Sequence, residues 1–267
     1  MTAPPTTLTR SATNAVARVL DGPASPERLN AALRLLCKWR SQVLEQTLVH
    51  RSGETVLSGP FKGMRYPVRS VEGTRSCRLL GAYEASLTPV IETIVARCYD
   101  LILNVGCAEG YYAVGLAMRC PSSRILAHDT DPRAQSLCQS LAAANGVANR
   151  VIIGGEVTHA DFAAFGHHRG LIMCDIEGAE DGLLDPVAAP ALLQADLLVE
   201  VHDSTRTGLL DDLAARFAKT HRITRFGRSF SSDALPEWAE GLSDIDRFLL
   251  LWEWRATPTP WLWMERL

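Results

Sequence analysis

The most constraining feature of this chain is the run L-I-L-N-V-G-C-A-E-G-Y-Y-A-V-G-L-A, residues 101–117. An almost wholly apolar segment stops at Gly106, turns, and resumes after Gly110 with apolar residues at helical spacing. A strand buried on both faces, a tight turn and a helix packing back form the opening unit of a parallel α/β sheet. The same grammar recurs downstream. Residues 124–129, 150–155, 170–178 and 196–203 read as short apolar strands, and residues 222–230 and 247–255 as two late ones. Between them, residues 132–146 form a helical pattern closed by a glycine, and residues 207–220 form another. Almost none of the strands alternates polar with apolar, as expected when helices cover both faces. The expected fold is a Rossmann-like, doubly wound, mostly parallel seven-stranded α/β sheet.

The N-terminal third reads differently. Residues 1–10 suggest a disordered leader of Thr and Pro. From Pro26 to His50 the pattern is helical, with Ser25 as cap and Pro26 in the first turn. Leu29, Ala32, Leu33, Leu36, Val43 and Leu44 are expected on its buried face. Residues 51–80 suggest loops or short strands, and a second helix is expected from Tyr83 to Arg97. The division is therefore a helical extension over residues 1–82, serving as a substrate cap, and a ligand-binding domain over residues 83–267.

Charge narrows the partners. The formal net charge is −3 over 267 residues, so no basic field supports nucleic-acid binding. No apolar run reads as long enough for a membrane span, and the first residues lack a signal core, so a cytoplasmic protein is expected. The seven cysteines include no C-x-x-C pair and read as reduced, mostly buried thiols. A homodimer is the default assembly.

The turn after residue 105 sets the ligand class. Gly106 and Gly110 allow close approach to the backbone, and Glu109 disfavours a phosphate while favouring a cationic ligand. Asp129 ends the next strand, where an acid can accept from both ribose hydroxyls. S-adenosyl-L-methionine carries that ribose and a positive charge. NAD, the ligand of a dehydrogenase reading, shares the ribose and carries a pyrophosphate.

With turn and acid in place, the chain resembles the class I S-adenosylmethionine-dependent methyltransferases over residues 83–255, and within them the FkbM-type family. That family's D-x-E-G-A-E segment is matched by Asp175, Ile176, Glu177, Gly178, Ala179 and Glu180, and its E-V-H segment by Glu200, Val201 and His202. Asn104 stands where family members commonly have Asp. The resemblance implies O-methylation of a small molecule or sugar. An N-methyltransferase, or a protein that binds the cofactor without catalysis, are the alternatives. Asn104, Gly106, Glu109, Gly110, Tyr111, Asp129, Glu156 and Asp175 are the candidate cofactor contacts. His202 is the candidate base, since an ordinary imidazole pKa near ~6.5 suits a hydroxyl proton at neutral pH, with Asp175 and Glu177 beside it. No resident metal is expected, although Asp175 and Asp203 are the carboxylates that could hold Mg²⁺. Arg65, Arg69, Arg75 and Arg78 could line the crevice and hold an anionic substrate.

Overall fold

The structure is a computed structural model and describes residues 4–204 and 206–267. Seven strands form one sheet: β1 (Leu101–Val105), β2 (Arg124–His128), β3 (Val151–Gly154), β4 (Gly170–Cys174), β5 (Asp196–Glu200), β6 (His221–Phe226) and β7 (Trp261–Arg266). Their order is β3-β2-β1-β4-β5-β7-β6. The first five are parallel, and β7 runs antiparallel to both β5 and β6. The seven-stranded, mostly parallel sheet is as expected.

One strand lies elsewhere than the sequence suggested. Residues 247–255 are not a strand. They contain the end of helix α9 (Asp244–Leu250), the last of nine α-helices among the described residues. Ser243 caps α9 by accepting from Asp246 N, and Asp246 is paired with Arg40 while Leu249 and Leu250 are buried. The seventh strand is formed instead by the Trp261–Arg266 segment, whose Trp261 and Trp263 are buried in the core.

Helices α4 (Thr88–Arg97), α5 (Tyr111–Arg119), α6 (Pro132–Ala144), α7 (Glu180–Leu183) and α8 (Leu209–Phe217) follow the strands or precede the sheet. Two apolar cores result, one on each face. On one, β1 meets α4, α5 and the segment from Leu44 to Leu80; on the other, Phe162, Phe165 and Phe217 pack against β4 and β5. Strands β1, β4 and β5 are buried at every residue, which explains their unbroken apolar runs. Each large apolar side chain so placed contributes about 1.5–3 kcal/mol.

In the N-terminal third, helix α1 (Thr7–Leu20) begins inside the expected leader, capped by Thr6, and packs on α2 (Pro26–Ser52). Residues 1–3 of that leader lie outside the described residues. Helix α2 starts as read, with the Ser25 side chain accepting from Arg28 N and Pro26 at its first position. Its buried line is Ala32, Ser41, Leu44 and Leu48, whereas Leu29, Leu33 and Leu36 are 62%, 56% and 46% exposed. Only its second half therefore faces the sheet's core. Helix α3 (Arg75–Leu80) was hidden among the glycines and arginines. The helix expected from Tyr83 starts at Thr88, because Glu84 takes a left-handed conformation at φ 48° and a short 3₁₀ turn follows. By length and composition the Arg75–Arg97 stretch could cross a membrane, contrary to the sequence reading. It is folded into α3, that turn and α4, and part of it is core.

Candidate functional site

Strand β1 pairs with β2 on one side and β4 on the other, so the chain's crossovers diverge there. Such a switch point leaves a crevice at the strands' carboxyl ends. The structure has a cleft of about 700 Å³ at this place. Gly106, Asp129, Glu156, Asp175 and Glu177 line it together. A smaller cavity of about 30 Å³ opens beside it, lined by Asn104, Gly106, Glu109, Tyr111 and Asp175. Asn104 is 4% exposed and its Oδ1 has no hydrogen-bond partner.

Two residues do a different job from the one expected. Glu109 is fully buried and presents no free carboxylate to a ligand. Its oxygens lie 2.8 Å from Arg78 Nε and 2.8 Å from Val71 N, which donates, and they accept the Tyr66 hydroxyl. It ties the extension to the turn. Gly110 is set by packing: a Cβ there would lie 2.5 Å from Cys138 Sγ, and its φ is 91°. Gly106 is equally constrained, since a Cβ would meet Asp175 O at 1.7 Å. Its absence lets the β1 and β4 turns touch.

Four amides of the turn are already spent within the protein. Gly106 N and Cys107 N both donate to His128 O, Ala108 N donates to Asp129 Oδ2, and Gly110 N to Cys107 O. A phosphate would need those amides. Side chains agree with the backbone. Among the described residues no Lys or Arg lines the cleft, whereas Glu72, Asp129, Asp131, Glu156, Asp175 and Glu177 do. The Asp129 carboxylate also accepts from Asp131 N at 2.9 Å, which holds it at the rim.

A second constellation sits where β4 and β5 end. His202 Nδ1 is 2.8 Å from Glu180 Oε1, and Nε2 is 3.3 Å from Glu177 Oε2 and 3.7 Å from Asp175 Oδ1. Burial works to lower the His202 pKa. The hydrogen bond with Glu180 and the charges of Glu180, Glu200 and Glu177 outweigh it, so the value is raised. The imidazole thus departs upward from the ordinary value on which its selection as base rested. Asp175 is the group shifted toward a basic role. Burial first, then the charge of Glu200 and a hydrogen bond shared with it, push its carboxyl well above the ordinary range. One ligand atom each of Asp175, Glu200 and His202 lie within 4.8 Å of one another, a set that could hold a metal ion. Asp203 is not part of it; its Oδ1 accepts from Leu210 N.

No model of a known protein family matches the chain, and no curated protein matches it in sequence. Among solved structures it is similar to the fibrillarin/Nop5p complex, at 14% identity and TM-score 0.44 over 70% of this chain and 82% of that one. It is also similar to the O-methyltransferase TomG from Streptomyces achromogenes, in complex with SAM, at 12% identity and TM-score 0.44 over 97% and 99%. A third is the O-methyltransferase from Bacillus cereus in complex with SAH, at 12% identity and TM-score 0.42 over 96% and 97%.

Two of the four arginines assigned to an anionic substrate are spent within the protein. Arg75 pairs with Glu54 and Arg78 with Glu109, and Arg78 also donates to Glu72 O and Thr74 O. Arg65 and Arg69 are exposed and do not line the cleft. Sequence reading missed Arg255 as a site residue. It is ion-paired with Glu84, Glu200 and Glu253 and lines a third cavity near the cleft. Its signal was the polar alternation of W-E-W-R, which the strand reading absorbed.

Proposed function

We propose that this protein is an S-adenosylmethionine-dependent methyltransferase acting on an oxygen of a small molecule, of the FkbM type. The observation that carries the reading is the cleft lining. Its carboxylates, lack of Lys or Arg and spent turn amides suit a ribose on a positively charged ligand and oppose a pyrophosphate. Bound there, the cofactor supplies a methyl group on a sulfonium leaving group. Asp129 accepts from the ribose hydroxyls, and Glu156 flanks the base. The unpartnered Asn104 Oδ1 accepts from an ammonium in the small cavity. Arg78, buried under Tyr83 at 3.9 Å from its ring centroid, keeps the turn's carboxylate compensated.

On the acceptor side, Asp175 takes the hydroxyl proton. The oxygen so deprotonated would be the nucleophile, and the bound cofactor would supply the methyl group together with a thioether as its leaving group. His202, fixed by Glu180, stands 3.7 Å from Asp175 Oδ1 and 3.3 Å from Glu177 Oε2 and positions both. The extension covers this side, since Lys38 of α2 and Glu72 and Gly73 of the following loop line the neighbouring cavity.

The test is calorimetric titration with S-adenosylmethionine, S-adenosylhomocysteine and NADH, followed by turnover on hydroxylated acceptors. Asp175→Asn is expected to lower kcat by about 10²–10⁴. Cofactor binding with no turnover on any acceptor would instead indicate a cofactor-binding protein without catalysis. NADH binding that excludes S-adenosylhomocysteine would refute the reading outright.

A further inference from the structure

Helix α2 carries one line of side chains with two fates. At spacings of three and four residues the line runs through Leu29, Leu33, Leu36, Arg40, Leu44 and Leu48, so these share one face of the helix. Leu44 and Leu48 are buried in the core, whereas Leu29, Leu33 and Leu36 are exposed. The half that leaves the core keeps the residue type the core selects, and no described residue buries it. Helix α1 lies along another flank of α2, where Trp39 Nε1 donates to Thr9 Oγ1.

Helix α9 reaches the same line. Arg40 donates to both carboxylate oxygens of Asp246, and the neighbouring Ile245 and Phe248 are 61% and 70% exposed. With Leu20 at the end of α1, six large apolar side chains are bare on three helices, α1 and α9 each packed on α2. At on the order of 100 Å² each, they leave about 600 Å² of apolar surface, the size of patch that marks an interaction site rather than ordinary surface.

Two features make a second copy of this chain the occupant. The first is symmetry. Leu29 and Leu36 stand on either side of Leu33 at nearly equal spacing. An antiparallel copy of α2 therefore sets Leu33 against Leu33 and Leu29 against Leu36, the self-complementary contact that a two-fold axis requires. The second is area. Two copies would cover about 1,200 Å² of apolar surface, which reaches the range of stable interfaces before any polar rim is added. Charge does not oppose the pairing: Arg40, the cation on the line, is paired with Asp246, and the net charge is only −3 per chain.

We propose that this face is a dimer interface, in which two copies pair through α2 and α9 about a two-fold axis near Leu33. The pairing completes the burial of the α2 line. It also braces the extension where it borders the acceptor side, since Lys38, two residues beyond Leu36, lines the cavity beside the cleft. It is independent of the methyl-transfer reading.

Sedimentation equilibrium of the full-length chain, from about 1 to 100 μM, is expected to give twice the chain mass of 29.2 kDa. Leu33→Glu sets two carboxylates against each other at the axis and should weaken the pairing at least about 100-fold, leaving a monomer. Leu29→Glu should act in the same direction. Both residues are exposed in the protomer, so both variants should keep the parent's far-ultraviolet circular dichroism. Val187→Glu, at an exposed apolar residue between α7 and β5, should leave the dimer mass unchanged. A parent protein that is monomeric throughout that range would overturn the proposal, as would a dimer that neither Leu29→Glu nor Leu33→Glu dissociates. Flotation of the parent with vesicles of phosphatidylcholine and phosphatidylserine, lost in Leu33→Glu, would overturn it too, by giving the face to a lipid surface.

Discussion

Replacing Glu109 by Gln separates a structural fastener from a ligand contact. Glu109 is 0% exposed and Arg78 is 3% exposed, and the pair is the charge link between α3 and the turn after β1. Burial opposes charge on Arg78, but Glu109 foremost, with Tyr83, Tyr66 and Glu84, raises its pKa well above the ordinary value. Glu109→Gln keeps one oxygen, for either Tyr66 (on Oε1) or Val71 N (on Oε2), and leaves the guanidinium uncompensated. Breaking a buried pair in this way costs about 3–5 kcal/mol, and the retained oxygen argues for about 3. Against a typical total of about 5–15 kcal/mol, that is a large loss. Arg78→Met should cost a similar amount. The double variant should cost much less than the sum, because the second change removes a charge already orphaned. Urea unfolding followed by tryptophan fluorescence measures all four proteins, and the midpoint should fall by about 1 M in each single variant. A loss below about 1 kcal/mol, together with collapsed S-adenosylhomocysteine affinity in the folded variant, would refute this reasoning. It would place the carboxylate against the ligand after all.

Other outcomes follow from the same geometry. Asp129→Ala should weaken S-adenosylhomocysteine binding about 100-fold and cost about 1–3 kcal/mol of stability, since Ala108 N and Asp131 N lose their acceptor; calorimetry and urea unfolding read the two effects separately. Glu200→Gln removes the charge that helps hold Asp175 above the ordinary carboxylate range, so the acidic limb of kcat should move to lower pH; an unmoved limb would take the proton-accepting role from Asp175. The His202 pKa is raised in the folded chain, so its stabilisation is full below the ordinary imidazole value and is lost as pH rises through the raised one. The stability gap between the parent protein and His202→Gln should accordingly be wider at mildly acidic than at alkaline pH, as urea unfolding at both would show. Gly110→Ala should cost about 2–4 kcal/mol, from left-handed strain and collision with Cys138, with loss of stability preceding any loss of ligand affinity.

The sheet was legible because its strands are buried on both faces, which leaves unmistakable apolar runs such as L-I-L-N-V and G-L-I-M-C. The cap of α2 was legible for an equally local reason, Ser25 followed by Pro26. What failed was decided by distant partners. R-F-L-L-L has the composition of a strand, but Asp246 meets Arg40 and Ser41 donates to Leu249 O from α2, far away in sequence. The same holds at the site. Asp129 and Asp175 could be placed from their positions at strand ends, whereas Glu109 had the right place and the wrong direction. Its partners Arg78, Tyr66 and Val71 come from the extension, for which no pattern existed. The His202 pKa likewise depends on three carboxylates, two of them reached only through the fold.

The central claim is that the crevice over β1 and β2 is built for a cationic nucleoside rather than a pyrophosphate. Titrating the full-length chain with S-adenosylmethionine and, separately, with NAD⁺ at the same ionic strength tests it most directly. Saturable one-to-one binding of S-adenosylmethionine, lost in Asp129→Ala, with no heat from NAD⁺, is the expected result. Saturable NAD⁺ binding with none for S-adenosylmethionine would contradict it.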